Sequence, residues 1–120
     1  MNVASKELCV ELYELSNYRD CGFLWFNDAP VWNLSLSPDV DYSHLLPAYD
    51  LGYLLRTLPP LLYKDCTREL TLKRGMPGME QFWYAAYDGT DNQFIYRADT
   101  PEDAAAKLCI EMIKQGVLKV

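Results

Sequence analysis

The centre of the fold is set by the stretch Phe82-Trp-Tyr-Ala-Ala-Tyr87, in which every residue is apolar or aromatic. A run this short suits a strand whose two faces are both covered better than it suits a helix. The alternating stretches Glu69–Arg74 and Gln93–Ala98 lie on either side, and turn residues fill 75–78 and 88–92. The sequence therefore predicts an antiparallel meander of three or more strands, with helices packed on both faces.

The helix that follows the meander has the clearest local signals in the chain. Thr100 is a suitable N-cap, Pro101 occupies the first helical position, and Asp103 stands where a capping box places its acid. Gly116 supplies the residue that ends the helix. The spacing of the apolar residues predicts a buried stripe formed by Ala105, Leu108, Cys109 and Met112.

The N-terminal half carries weaker signals. Residues 5–18 have the period of an amphipathic helix with Ser5 as its N-cap, and Phe23–Phe26 is an aromatic run typical of a buried strand or a loop plug. Trp32–Leu36 alternates with a period of two, which predicts a short edge strand. A second helix should begin after Asp50 and end before Pro59.

Length and composition are those of one folded domain. The chain has 120 residues, half of them hydrophobic, so we expect a single α+β domain over 1–120 with the order α-(β)-α-β-β-β-α. No apolar run is long enough to cross a bilayer. The first residues lack the pattern of a secretory signal, which favours the cytoplasm.

The cysteines and the single histidine do not form a recognisable site. The thiols Cys9, Cys21, Cys66 and Cys109 stand far apart without a CxxC pair, so we expect reduced structural thiols, no metal and no cofactor. His44 follows Tyr42 and Ser43 in a loop-like stretch, with no nucleophile motif nearby. No catalytic residue is predicted.

Three stretches resemble the phage ABA-sandwich family, small proteins of bacteriophages and prophages. They are Tyr49-Asp-Leu-Gly-Tyr-Leu-Leu55, Trp83-Tyr-Ala-Ala86 and the run from Ala98 to Ile110, and together the resemblance covers residues 45–118. It implies a three-layer sandwich and a phage or prophage origin, but no catalytic residues to transfer. The acidic and tryptophan-rich first 40 residues depart from that family's pattern.

The negative charge is concentrated in the N-terminal part. The formal net charge of −6 belongs entirely to residues 1–50, which hold eight acidic and two basic residues. Such a balance opposes nucleic-acid binding, which relies on basic side chains, and it suits a basic protein partner. The aromatic and acidic residues predicted to bind such a partner are Trp25, Phe26, Asp28, Trp32, Asp39, Asp41 and Tyr42.

These observations favour a non-enzymatic accessory protein that binds another protein, such as a host or defence component that it inhibits. Two alternatives stay open. One is a small enzyme or enzyme subunit with a cleft around His44, and the other is a homo-oligomeric structural module that buries its own aromatic patch. No nucleic acid and no membrane is expected as a partner.

Overall fold

The fold combines three helices with two antiparallel sheets. The computed structural model describes residues 2–63, 67–75, 78, 81–88 and 95–118. In chain order the elements are α1 Lys6–Ser16, β1 Phe23–Phe26, β2 Ala29–Trp32, a 3-10 turn at Asn33–Ser35, β3 Pro47–Ala48, α2 Leu51–Thr57, β4 Leu61–Tyr63, β5 Thr67–Arg74, β6 Trp83–Asp88, β7 Ile95–Ala98 and α3 Pro101–Lys114. The predicted α+β class is confirmed.

The larger sheet contains the predicted meander. Its strand order is β4-β5-β6-β7, so β6 pairs with both of its expected neighbours and β4 adds a strand beyond β5. Ala85 in β6 stands opposite Leu72 on one side and Tyr96 on the other. Much of both predicted turns, at 76–77 and 89–92, lies outside the described residues.

Helix α3 is the centre of the core. The Thr100 hydroxyl accepts a hydrogen bond from the Asp103 N–H at 3.1 Å, and Pro101 opens the helix as predicted. Gly116 adopts a φ of 73°, and its N–H donates to the Ile113 carbonyl, so the predicted stop is also confirmed. The predicted stripe is fully buried, at Ala105, Leu108, Cys109 and Met112.

The helices gather on one face of the larger sheet, where the sequence predicted them on both. The core joins residues of α1, α2 and α3 to Ala85 and Tyr87, which point to the same side of β6. The opposite side carries Tyr84, which pairs across the sheet with Lys73 and Arg97. Long basic side chains can shelter an aromatic ring while their charges stay in water, which explains how β6 can be apolar on a face that no described helix covers.

The start of α1 is held by the start of α3. Ser5 occupies the predicted N-cap position, but its side chain makes no cap hydrogen bond. Its backbone N–H instead donates to Asp103 Oδ1 at 2.6 Å, across 98 residues of sequence. The chain before α1 is fixed as well, because the Ala4 N–H donates to the Tyr49 carbonyl at 2.8 Å.

The smaller sheet has the order β2-β1-β3 and begins with a tight hairpin. Its two turn residues, Asn27 and Asp28, have φ angles of 51° and 62°, the geometry that two-residue hairpin turns favour. The predicted strand at Trp32–Leu36 is wrong, because β2 ends at Trp32 and a 3-10 turn follows. The Asn33 N–H makes the last ladder bond, to the Gly22 carbonyl at 2.9 Å, just before β1 begins.

Candidate functional site

The two faces of the smaller sheet have different environments. Phe23 and Trp25 point to the face that meets the core, and Trp25 packs against the core cluster. Leu24 and Phe26 point to the other face, which faces the loop between β2 and β3. One hairpin therefore both anchors the sheet and exposes aromatic surface.

A cleft of about 440 Å³ separates Leu24 from that loop. Half of the lining residues on the loop side are aliphatic, and the polar groups come from Arg19, the Tyr42 hydroxyl and three short side chains. The lining residues are Arg19, Leu24, Asn33, Leu34, Leu36, Ser37, Pro38, Val40, Tyr42 and Ser43. We call this the loop cleft.

Arg19 holds the far end of the loop in place. Its Nη2 donates to the Leu45 carbonyl at 2.8 Å and to the Tyr42 carbonyl at 3.3 Å. The guanidinium also lies over the Tyr13 ring, 5.4 Å from its centroid. An arginine that bridges two loop carbonyls to α1 gives an otherwise irregular segment a fixed position.

Exposed apolar side chains concentrate in one segment of the chain, and two of them, Leu34 and Val40, line the loop cleft. Among the described residues, six large hydrophobic side chains are exposed, and four of them lie between positions 26 and 40. They are Phe26, Trp32, Leu34 and Val40, with Leu34 80% and Val40 52% exposed. Isolated exposed leucines are common, but a cluster on one segment is typical of a binding surface. We call these four residues the apolar cluster.

The predicted acidic residues lie around this cluster and are solvent-exposed. The Asp28 carboxylate, at the hairpin tip, accepts from Lys6 Nζ at 2.7 Å, and this hydrogen bond and the lysine charge lower its pKa. The Asp41 carboxylate accepts from the Ser43 N–H at 2.9 Å, a bond that lowers its pKa as well. Both groups remain ionised at neutral pH, and Asp39 adds a third exposed carboxylate.

The predicted binding residues are only partly brought together. Trp25 is half-buried and packs against the core, and its buried indole N–H has no hydrogen-bond partner among the described residues. Trp32 packs edge-on against Phe23 at 4.8 Å, on the opposite face from Phe26. Of the predicted set, Tyr42 alone lines the loop cleft.

Sequence reasoning missed nine of the ten residues that line the loop cleft, and Arg19, Leu34 and Val40 are three of them. Arg19 and the pair Leu34 and Val40 were not among the predicted binding residues, although all three line the cleft. A usable signal was present, because isolated aliphatic residues between turn-forming residues have no amphipathic period to bury them. Arg19 carried no comparable signal, since its carbonyl partners lie at least 23 residues away.

The outer edge of β2 is poorly suited to accept another strand. The Asn33 N–H donates to the Gly22 carbonyl. In an antiparallel pair, every second residue directs its N–H and C=O toward the partner strand, so Pro30 and Trp32 direct their backbone groups away from β1. Pro30 has no N–H, and the Trp32 carbonyl already accepts from Ser35 Oγ at 2.7 Å. Contact through side chains is therefore favoured over strand addition.

The thiols and the histidine do not assemble a reactive centre in the part of the chain that the structure describes. Burial raises the pKa of the Cys9, Cys21 and Cys109 thiols, and Cys66 lies outside the described residues. His44 is exposed and does not line the loop cleft. The described residues contain no group of three His, Cys, Asp or Glu side chains placed to hold a metal.

No described helix has the length and apolar character needed to cross a membrane. Comparison with known proteins adds no relative, because no family model, curated protein or solved structure matches the chain. The functional argument therefore rests on the surface itself.

Proposed function

We propose that this protein acts by binding another protein through the apolar cluster and the carboxylates beside it. The observation that carries the proposal is the concentration of four of six exposed large hydrophobic side chains between positions 26 and 40. Apolar anchors surrounded by charged groups are the usual composition of a protein interface. The role is non-enzymatic, because binding needs only this surface.

The partner should present apolar side chains next to basic ones. Asp28, Asp39 and Asp41 lie in the half of the chain that carries all of the net negative charge. Such a field attracts a positively charged protein before contact and orients it. A host or defence protein that handles nucleic acid has a surface of this kind, and its inhibition in the cytoplasm would agree with the resemblance to phage proteins.

The test of the apolar cluster is a double variant with a matched control. Leu34→Ser and Val40→Ser together remove the most exposed members of the cluster without touching the core. Val10→Ser with Ile95→Ser changes the two exposed hydrophobic residues outside it, which are 38% and 37% exposed. A protein captured from host lysate by the wild type should be lost with the first pair and retained with the second.

Equal capture by both double variants would contradict the proposal. Light scattering coupled to size exclusion addresses self-association. If the wild type is an oligomer that the Leu34 and Val40 substitutions convert to a monomer, the cluster binds a second copy of this chain, and the proposal fails in this form.

The acidic part of the surface is tested by kinetics with the captured partner. Changing Asp28, Asp39 and Asp41 to Asn should slow association at low salt and reduce its salt dependence, with a smaller effect on dissociation. The exposed acids Glu69 and Asp99, changed to Gln and Asn, are the control and should alter the rate less. An unchanged association rate in the triple variant would remove the charges from the proposal.

A further inference from the structure

A second cleft, of about 400 Å³, lies where the chain leaves α1 and faces one side of α2. It shares no lining residue with the loop cleft, and its walls are mainly polar side chains. The residues that line it are Tyr18, Asp20, Tyr53, Arg56 and Thr57. The last three are at positions i, i+3 and i+4 of α2, so they share one helix face. We call it the tyrosine cleft.

The floor of the tyrosine cleft is held by aromatic packing and hydrogen bonds. The Tyr53 ring stacks on Tyr49 at 5.4 Å and meets Tyr18 edge-on at 6.4 Å. The Tyr49 hydroxyl donates to the Tyr18 carbonyl at 2.7 Å, and the Tyr53 hydroxyl donates to Asp20 Oδ1 at 2.5 Å. Burial and the Asp20 carboxylate raise the pKa of Tyr53, so this donor keeps its proton. The hydrogen bond thereby fixes the orientation of the Asp20 carboxylate.

Two opposite charges in the cleft have bonding capacity to spare. Among the described residues, Asp20 uses one oxygen on Tyr53, and Arg56 makes no hydrogen bond or ion pair. The Arg56 guanidinium lies across Gly52, with Nη1 3.2 Å from where a Cβ at that glycine would be. Both charged side chains are exposed, so they reach a ligand without rearrangement of the core.

We propose that the tyrosine cleft binds a small zwitterion of the amino-acid class. Its carboxylate pairs with the Arg56 guanidinium, and its ammonium group pairs with the free oxygen of Asp20. A ligand that is only anionic meets repulsion from Asp20, and one that is only cationic meets repulsion from Arg56. Tyr18 and Thr57 also line the cleft, and the Thr57 hydroxyl, which donates to the Tyr53 carbonyl at 2.9 Å, can still accept a hydrogen bond.

This proposal is independent of the protein-binding surface, since the two clefts share no residue. Binding is measured by titrating the proteinogenic L-amino acids, one at a time, into isotopically labelled protein and following the amide resonances. The strongest binder is then compared with its N-acetyl derivative, which lacks the ammonium group, and its amide, which lacks the carboxylate. We expect saturable shifts at Tyr18, Asp20, Tyr53, Arg56 and Thr57, and at least about tenfold weaker binding of each blocked form.

Two substitutions with matched controls complete the test. Asp20→Asn retains an acceptor for the Tyr53 hydroxyl, and Arg56→Gln removes an exposed side chain, so both variants should fold and melt like the wild type. Each substitution should lower the affinity for the amino acid by about tenfold or more. Asp39→Asn and Arg74→Gln remove like charges elsewhere on the surface and should leave its affinity unchanged.

Any of three results would overturn the proposal. One is the absence of saturable shifts with every amino acid tested. The second is binding of a blocked derivative with the same affinity as the free amino acid, which would show that the cleft does not require both charged groups of the ligand. The third is wild-type affinity in a folded Asp20→Asn or Arg56→Gln variant.

Discussion

The two ends of the molecule differ in how they use apolar residues. Helix α3 and the larger sheet bury theirs, and seven apolar residues of α3 belong to the core. The hairpin of β1 and β2 and the loop after it leave Phe26, Trp32, Leu34 and Val40 exposed, with Leu34 80% exposed. We therefore expect stability to depend mainly on the first region and the proposed recognition on the second. We expect substitutions in the first region to unfold the protein and those in the second to alter binding alone.

The largest effect that tests this division is alkaline unfolding, because several buried groups contribute together. Burial raises the pKa of Cys109 to about 12 and also raises the pKa of Tyr49 and Tyr87. In the unfolded chain the pKa of a cysteine thiol is about 8.5 and that of a tyrosine is about 10. The unfolded state therefore loses protons first, and stability falls as the pH rises from about 9 to 12.

Urea midpoints measured across this range check the alkaline prediction. Cys109→Ala should make the loss smaller, because it removes one of the three buried thiols of the described residues, which ionise early in the unfolded chain, while Cys9 and Cys21 remain. Tyr42→Phe, in the half-buried wall of the loop cleft, is the control and should follow the wild type. A midpoint that does not change up to about pH 11 would show that the Cys109 thiol is not in the core.

A smaller effect comes from truncating one leucine in each region. Leu108 is fully buried between the sheet and the other helices, so Leu108→Ala should lower the free energy of unfolding by about 2–5 kcal/mol. Leu34→Ala should change it by less than about 0.5 kcal/mol, since that side chain is mostly in water. Chemical denaturation measures both. Similar losses in the two variants would refute the division.

A still smaller effect concerns the hydrogen bond that joins the start of α1 to the start of α3. Asp103→Ala leaves the Ser5 N–H without its acceptor and should cost about 1–3 kcal/mol. Thr100→Ala removes a cap within α3 alone and should cost about 0.5–2 kcal/mol. Hydrogen exchange separates them, because only the Asp103 variant should speed exchange at the start of α1. Equal protection of α1 in both variants would contradict the link.

The smallest effect is expected at the hairpin tip. The ion pair between Asp28 and Lys6 joins two exposed side chains, and such pairs add little to folding. Asp28→Asn should therefore leave the urea midpoint unchanged at both low and high salt. A clear loss of stability would show that this ion pair, and with it part of the proposed binding surface, contributes to the stability of the fold.

What the sequence predicted well depended on neighbours in the chain. The cap at Thr100, the stop at Gly116 and the buried stripe of α3 all follow from residues within a few positions of one another. The partner of the Asp103 carboxylate was not predictable in this way, because it comes from Ser5, 98 residues earlier. The local alternation at Trp32–Leu36 predicted a strand that does not form. The pairing of β2 with β1 ends where Trp32 meets Phe23, the first residue of β1.

The candidate sites show the same limit. The acids Asp28, Asp39 and Asp41 were recognised from composition, and the structure leaves all three exposed near the apolar cluster. Trp25 was taken as surface from its residue type, yet it packs on the core through the alternation of β1. The tyrosine cleft was missed because it combines residues after α1 with one face of α2, and no single segment contains both.

The contact between the beginnings of α1 and α3 has a consequence for the order of events during synthesis. Helix α1 is made first, but its packing surface and the acceptor for Ser5 belong to α3, almost 100 residues later. A nascent chain must therefore carry an unpaired amphipathic helix until α3 has been synthesised. During that interval the apolar side of α1, with Cys9 and Leu12, is open to chaperones, and the native packing of α1 should form only after α3 has emerged from the ribosome.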